Sequence, residues 1–501
     1  MLLQPGAPTR TRRVTPPIPM LPAAVVCAAL AGLWFLAPSA PTTDPWGWIN
    51  WGREITHLDL DTSIGGTPSW KPLPVIFTTL FSLTGAAAPT VWLFFARAAG
   101  LLSLVFAYRL GARLRGPVAG VAAALAFGFT LDVVRELAHG YAEPMAAALL
   151  FAAIESHLDG REGRAFGLGT VAALVRPEVW PLVLIYGAVR LWRPGRRLLV
   201  ILGAAAVPAL WLIPDWIGSG DPFHGNHVAH ISTPGGPSHT WPALGNLVRV
   251  VGPATLTLAA AAIALAIRRR DRVTLALGAW ALLWGGALVI AMLLGYSASE
   301  RYLFLPATLL CIVAGVGAAE VVASFWTPRG RLAGGLVLLA LAMPFLVVRG
   351  AELVREFRGA EARAELQRDM IHTVQRLGRR RALRLGLPTL PAGLGWNRGA
   401  LAWQLHVHIG RIRGARTSAG GHIAALSGDR GYAVPAQPAS PVWVVFRHRR
   451  RPPLLFAPFG SARLRVVRHP TWRLVPIEAS GRWRVYLRRI ERARPHSSRH
   501  R

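Results

Sequence analysis

The sequence predicts an all-α polytopic membrane protein of about 9–11 membrane helices, including a re-entrant hairpin, with a small C-terminal α/β domain outside the membrane. Three observations lead there. The 501 residues are 52% hydrophobic and only 16% charged, with a mean hydropathy of +0.37, which excludes a disordered chain and an ordinary cytosolic enzyme. Apolar runs of spanning length recur along the first two thirds. The charge then changes abruptly: residues 1–350 carry 26 basic and 16 acidic side chains, residues 351–501 carry 30 and 8.

A spanning helix needs about 20 apolar residues. The first run, PPIPMLPAAVVCAALAGLWFLAPSA, follows Arg10, Arg12 and Arg13. It has the outline of a cleaved signal peptide but is read as an uncleaved first span, because many more runs follow. These lie near 89–110, 117–137, 140–158, 198–217, 246–267, 273–296, 302–326 and 331–348. Residues 72–85 are too short to cross comfortably, and 166–192 is interrupted by Arg176, Pro177 and Glu178.

Basic residues favour short cytoplasmic loops. The clusters at 109–115, 161–164, 190–197, 268–272 and 329–331 share one side only if 166–192 enters and leaves from the cytoplasm with Arg-Pro-Glu at its apex. This parity makes the N-terminus cytoplasmic. It sends 38–88, 132–140, 218–245, 297–301 and everything after 349 to the outer side of the cell membrane. The chain thus divides into a membrane domain at 1–349, a mixed α/β domain at 350–490 and a disordered basic tail at 491–501. Residues 351–380 have helical periodicity, and PVWVVF, RLRVV, WRLVPI and RWRVYL read as strands.

Of 56 basic residues only Lys71 is lysine. That imbalance fits codon bias in a GC-rich genome, so the net charge of +32 does not indicate a nucleic-acid partner; membrane lipids are the expected surroundings. Cys27 and Cys311 each lie in an apolar run and suggest no disulfide framework.

The loop at 38–88 is the richest in chemistry. It holds Asp44, Arg53, Glu54, His57, Asp59, Asp61 and Lys71, with Trp46, Trp48, Trp51 and Trp70. Tryptophans beside a span commonly form an interfacial belt, whereas carboxylates at the hydrocarbon edge are functional candidates. Asp44 before Pro45 also suits a turn or cap, with Asp59 and Asp61 as rival bases. Arg301, between Glu300 and Tyr302, is either an anion ligand or a snorkelling arginine. Arg176 and Glu178 either serve a site or pair to make burial tolerable. Glu143, opening a span near Arg135, is also an ordinary helix-terminal charge. His224, His227 and His230 invite a metal reading but lack the mixed donor sets typical of zinc; contact with substrate, or a plain polar loop, explains them as well.

A first helix, an outer loop with an early Asp, WKPLP, the ALVRPEVWP hairpin, the GSGDPFHGN loop and ERYLFLPATLL together resemble the GT-C superfamily of polytopic glycosyltransferases. That superfamily includes the protein mannosyltransferases and the lipid A aminoarabinose transferase. The resemblance spans about residues 15–348 and does not cover the tail. It implies transfer of a hexose or pentose from a polyprenyl-phosphate donor to a hydroxyl of a lipid, glycan or protein on the outer face. Asp44 matches the family's base by position; Arg301 and Lys71 would face the phosphate. No cofactor is marked, although the carboxylates are compatible with a divalent cation. An oligosaccharide ligase of O-antigen type has the same outline. A transporter or lipid flippase also needs many spans and buried charge, and an envelope scaffold would need only the basic tail.

Overall fold

The computed structural model describes residues 18–64, 68–191, 197–231, 245, 248–294, 300–325, 327–385, 387–390, 395–414, 416–417, 444–445, 453–458, 472–480 and 483–490. The N-terminal arginines, the RLRVV run and the expected disordered tail at 491–501 lie outside them, as does the side chain of His230.

The helices follow the apolar runs: α1 (Met20–Leu33), α2 (Thr43–Thr56), α3 (Pro72–Ser82), α4 (Ala88–Arg115), α5 (Pro117–Gly128), α6 (Leu131–His139), α7 (Glu143–Leu158), α8 (Glu162–Ala173), α9 (Trp180–Leu191), α10 (Arg197–Ser219) and α11 (His224–Ile231). After these come α12 (Pro253–Arg269), α13 (Arg272–Leu293), α14 (Phe304–Ala323), α15 (Pro328–Leu377), α16 (Arg379–Leu385) and α17 (Arg398–Leu405). The chain is a polytopic helical membrane protein. Among the described residues, five helices are long and apolar enough to cross a membrane, at 85–115, 197–219, 272–293, 300–323 and 328–377.

The expected span at 117–137 is bent, a broken span or a re-entrant loop. Thr130 is extended, and the chain bends by 63° between α5 and α6. Arg135, Glu136 and His139 make α6 the polar half of this pair, and Glu136 and His139 are buried in the protein.

At the interrupted run, α8 and α9 pack against each other. Arg190 pairs with Glu162, and the His157 ring nitrogen meets the Tyr186 hydroxyl at 2.9 Å. Both feet of the hairpin therefore stand at one end, with Arg176 at its apex. That end also holds Arg109–Glu155 at 2.6 Å, Arg113–Asp159 at 2.5 Å, and Glu320 between Arg115 at 2.6 Å and Arg269 at 2.5 Å.

The central helix α14 packs against α5 and α12 and is buried through most of its length. Small residues allow the close approach: a Cβ on Gly315 would land on the Ala119 carbonyl, and one on Gly317 on the Leu258 carbonyl. The first half of α15 does the reverse, exposing Leu332, Leu336, Val337, Leu341 and Val347 as a lipid-facing surface would.

The 50-residue α15, about 75 Å long, leads into a mixed sheet of order β2-β1-β5-β7-β6. Its strands are β1 (Leu387–Leu390), β2 (Arg413–Gly414), β5 (Pro453–Pro458), β6 (Trp472–Ser480) and β7 (Trp483–Ile490). Two short strands, β3 (Arg416–Thr417) and β4 (Val444–Val445), pair separately. WRLVPI and RWRVYL thus lie in an antiparallel pair, Val444–Val445, the described residues of PVWVVF, are strand, and PLLFAP supplies β5, a strand not expected from alternation. The sheet region docks on α2 through α17: Asn50 Nδ2 donates to the Gly399 carbonyl at 3.0 Å, and Arg53 donates to the Trp403 carbonyl at 3.0 Å.

Replacing Gly317 by Ala forces α12 away from α14 and should cost about 1–3 kcal/mol. A lower melting temperature of the purified protein is expected; an unchanged one would show that the two backbones do not touch there.

Candidate active site

Opposite the arginine-rich end, the starts of several helices converge. Lys71, Glu143 and Arg176 directly precede Pro72, Pro144 and Pro177, the first or second residues of α3, α7 and the turn leading into α9. A residue before proline is pushed out of the helical region, and Lys71 and Arg176 are indeed extended. Their side chains therefore leave the helix starts and meet. Asp44, before Pro45, lies in the first turn of α2.

Glu143, fully buried, is the hub. Its Oε1 accepts from Lys71 Nζ at 2.8 Å, Arg176 Nη1 at 2.9 Å and Arg301 Nη2 at 2.7 Å. Arg301 Nη2 also donates to Asp44 Oδ2 at 2.9 Å, and its Nε lies 3.8 Å from Glu136 Oε1. Arg176 Nη2 reaches Glu178 at 2.9 Å, and Arg135 lies 3.7 Å from Glu136. Four cations thus face four carboxylates, as buried ions require. Aromatic faces complete the lining: Tyr141 lies 4.1 Å from the Arg301 guanidinium, Tyr302 lies 4.9 Å from that of Arg176, and Trp48 lies 5.0 Å from the Lys71 ammonium. Burial pulls the Lys71 pKa below the ordinary lysine value, against the attraction of Glu143.

The balance leaves several acceptors over, Glu178 Oε2 among them. Asp44 is only 2% exposed, and its Oδ1 has no hydrogen-bond partner; Glu143 Oε2 is in the same state. Among the described residues no three His, Cys, Asp or Glu are grouped as a metal would need. With each carboxylate already facing a cation, this donor set does not fit a divalent ion.

The remaining candidates lie elsewhere. Arg53 and Glu54 end α2: Arg53 stacks 4.7 Å from the Trp403 ring, and Glu54 meets His408 Nδ1 at 3.1 Å while Asp59 meets Nε2 at 3.0 Å. Asp61 Oδ1 accepts from the Ser63 amide at 2.9 Å. Glu300 pairs with Arg249 at 3.1 Å. His224 bonds the Ile64 carbonyl at 3.1 Å, pinning the start of α11 onto the segment after α2, and His227 bonds Asp221 at 2.7 Å. Trp46, Trp48, Trp51 and Trp70 are buried and hydrogen-bonded. The interfacial-belt reading is therefore corrected: they form the core beneath α2.

Glu136 and Tyr141 are cluster members that the sequence reading passed over. Their signal was present as an acidic residue within an apparent span. Arg97 supports them: it is fully buried, donates to the Leu137 and Ala138 carbonyls at 3.1 and 2.9 Å, and holds the C-terminal end of α6.

A structure comparison matches this architecture to ArnT from Cupriavidus metallidurans in the apo state, at a TM-score of 0.51 and 15% identity over 94% of this chain and 98% of that one. The chain shares the fold of that protein. ArnT from the same organism bound to undecaprenyl phosphate aligns at 0.49 and 14%, over 93% and 98%. The Archaeoglobus fulgidus oligosaccharyltransferase aligns at 0.46 and 13%, and there the match covers 78% of this chain and only 64% of the other. No family model and no curated protein sequence matches the chain.

Two outcomes follow from the charge network. Glu143→Gln leaves three buried cations sharing too little negative charge and should destabilise by about 3–5 kcal/mol. Adding Lys71→Met should recover part of it in thermal melts; no recovery would refute the shared hub. Glu54, by contrast, has its pKa raised from 4.5, chiefly by burial, against bonds from Asp61 and His408. A raised carboxyl weakens the native state as pH climbs from 4.5 through the raised value. Glu54→Gln should abolish that part of the stability-against-pH profile, measured as the difference from the parent protein.

Proposed function

We propose that the chain is an integral-membrane glycosyltransferase that moves a hexose or pentose from a polyprenyl-phosphate donor to an acceptor hydroxyl on the extracytoplasmic face. The observation carrying this reading is Asp44: a buried carboxylate with one oxygen held by Arg301 and the other without a partner, set among cations at the membrane edge. Such a carboxylate is placed to take a proton. Three cations around it suit a phosphate that gains charge as it leaves.

The steps balance without a cofactor. The acceptor hydroxyl gives its proton to Asp44 Oδ1, its oxygen bonds to the anomeric carbon, and the bond from that carbon to the phosphate oxygen breaks. Arg301, Arg176 and Lys71 take up the charge of the departing polyprenyl phosphate. A donor phosphate competes with Asp44 and Glu143 for Arg301, so donor binding itself loosens the pair that occupies the base.

Orientation follows from charge. The ion pairs at the hairpin feet and at the ends of α4, α7 and α12 fall at the end opposite the site, and short basic loops favour the cytoplasm. On this reading the N-terminus lies inside, with Asp44 and a C-terminal domain at 350–490 outside. The acceptor is a lipid, glycan or protein.

Asp44→Asn keeps the shape and removes the base. Transfer of labelled sugar from polyprenyl-phosphate donors, in membranes matched for protein level, should fall about 100- to 10,000-fold. Transfer that survives would move the base elsewhere, and no transfer by the parent protein with any donor would reject the reading.

A further inference from the structure

The other end of α2 carries a second site. A pocket of about 440 Å³ opens where α2 meets the C-terminal region, with Arg379, Arg411 and His406 on the C-terminal side and Glu54 and Asp59 on the α2 side. The two acidic residues are taken up by one imidazole, since His408 bridges Glu54 and Asp59, and Arg53 is committed to the Trp403 and Val407 carbonyls. The side chains of Arg379 and Arg411 make no hydrogen bond or ion pair with the described residues, and they line the pocket from separate elements, α16 and the turn at Ile409–Arg411. Burial, reinforced by Arg53 and Arg379, lowers the His406 pKa.

Two uncommitted guanidiniums on one concave wall are a fork for a carboxylate or phosphate. A pocket of this volume takes a small ligand rather than a chain. Asp44 and Glu54 are ten residues apart on one helix, which is about 15 Å along its axis. The group bound here is therefore separate from the hydroxyl that meets Asp44.

We propose that this pocket binds an anionic sugar unit, phosphorylated or carboxylated, of the acceptor saccharide, at a distance from its reacting hydroxyl. The acceptor role rests on the glycosyltransferase reading; anion binding does not. With its charged unit gripped by Arg379 and Arg411, the acceptor is selected for charge as well as for the attacking hydroxyl, and a neutral acceptor loses the grip.

The test uses the full-length protein in nanodiscs of zwitterionic lipid. Glucose 6-phosphate, glucuronate, glucose and inorganic phosphate are titrated by calorimetry against the parent chain, Arg379→Ala/Arg411→Ala and Asp44→Asn. The two charged sugars should bind, and more weakly as salt rises. Glucose and inorganic phosphate should bind at least about tenfold more weakly, and loss of the two arginines should weaken the charged sugars by about tenfold or more. Asp44→Asn should bind like the parent. Equal binding of glucose, equal binding of inorganic phosphate, or unchanged binding to the double variant would overturn the proposal. In transfer assays with a charged acceptor, the double variant should raise KM and leave kcat unaltered. A loss of kcat with KM unchanged would overturn the acceptor role, while anion binding in a chain without transferase activity would reject the proposed function and leave the anion site standing.

Discussion

One carboxylate oxygen holds the membrane-edge site together. Glu143 Oε1 receives Lys71, Arg176 and Arg301 within 2.9 Å, and these come from the outer loop, the hairpin apex and the start of the α14 segment. No pair in this set is stable alone in a buried place, because each ion gives up hydration that a single partner does not restore. The cluster forms only when four distant stretches of chain arrive together, and it then fixes their relative positions. Arg301 carries this constraint one step further by also holding Asp44.

The scaffold delivers those stretches by contrast in packing. Around α14 the glycines bring backbones into direct contact, whereas the charged ends sit where helices start beside prolines. Close packing keeps the helix starts from sliding, so side chains reaching out from them meet at hydrogen-bond distance. Arg97 does for α6 what Glu143 does for the cluster: it ties off the last carbonyls of a short helix whose own charged residues would otherwise pull toward water.

The parts of this architecture legible in sequence were those governed by solvent. Apolar runs marked lipid. The arginine clusters required the 166–192 run to double back, and Arg190 against Glu162 is the contact expected of such a hairpin. Lys71 and Asp44 stood out because charge near hydrocarbon needs a reason. What stayed hidden depended on partners far along the chain. Glu136 looked like a residue inside a span until α6 turned; the tryptophans looked interfacial because burial by α3 and by the C-terminal region leaves no local trace; and His408, which closes over Glu54, lies some 350 residues from it. Periodicity reports which face of a helix is apolar, and does not report whether lipid or protein covers it.

The charge step at residue 350 shows the same limit from the other side. It falls inside α15, which runs unbroken from Pro328 to Leu377. The helix is bare and apolar in its first half, then changes to a polar surface whose inner face buries Arg363, Gln367 and Met370. Gln367 accepts from Trp46 of α2 at 3.1 Å. The same continuous element that stands in lipid at one end braces α2 at the other. A composition step thus marks a change of solvent around the helix, and the tie to α2 makes the distal half of α15 part of the framework that holds Asp44 in place.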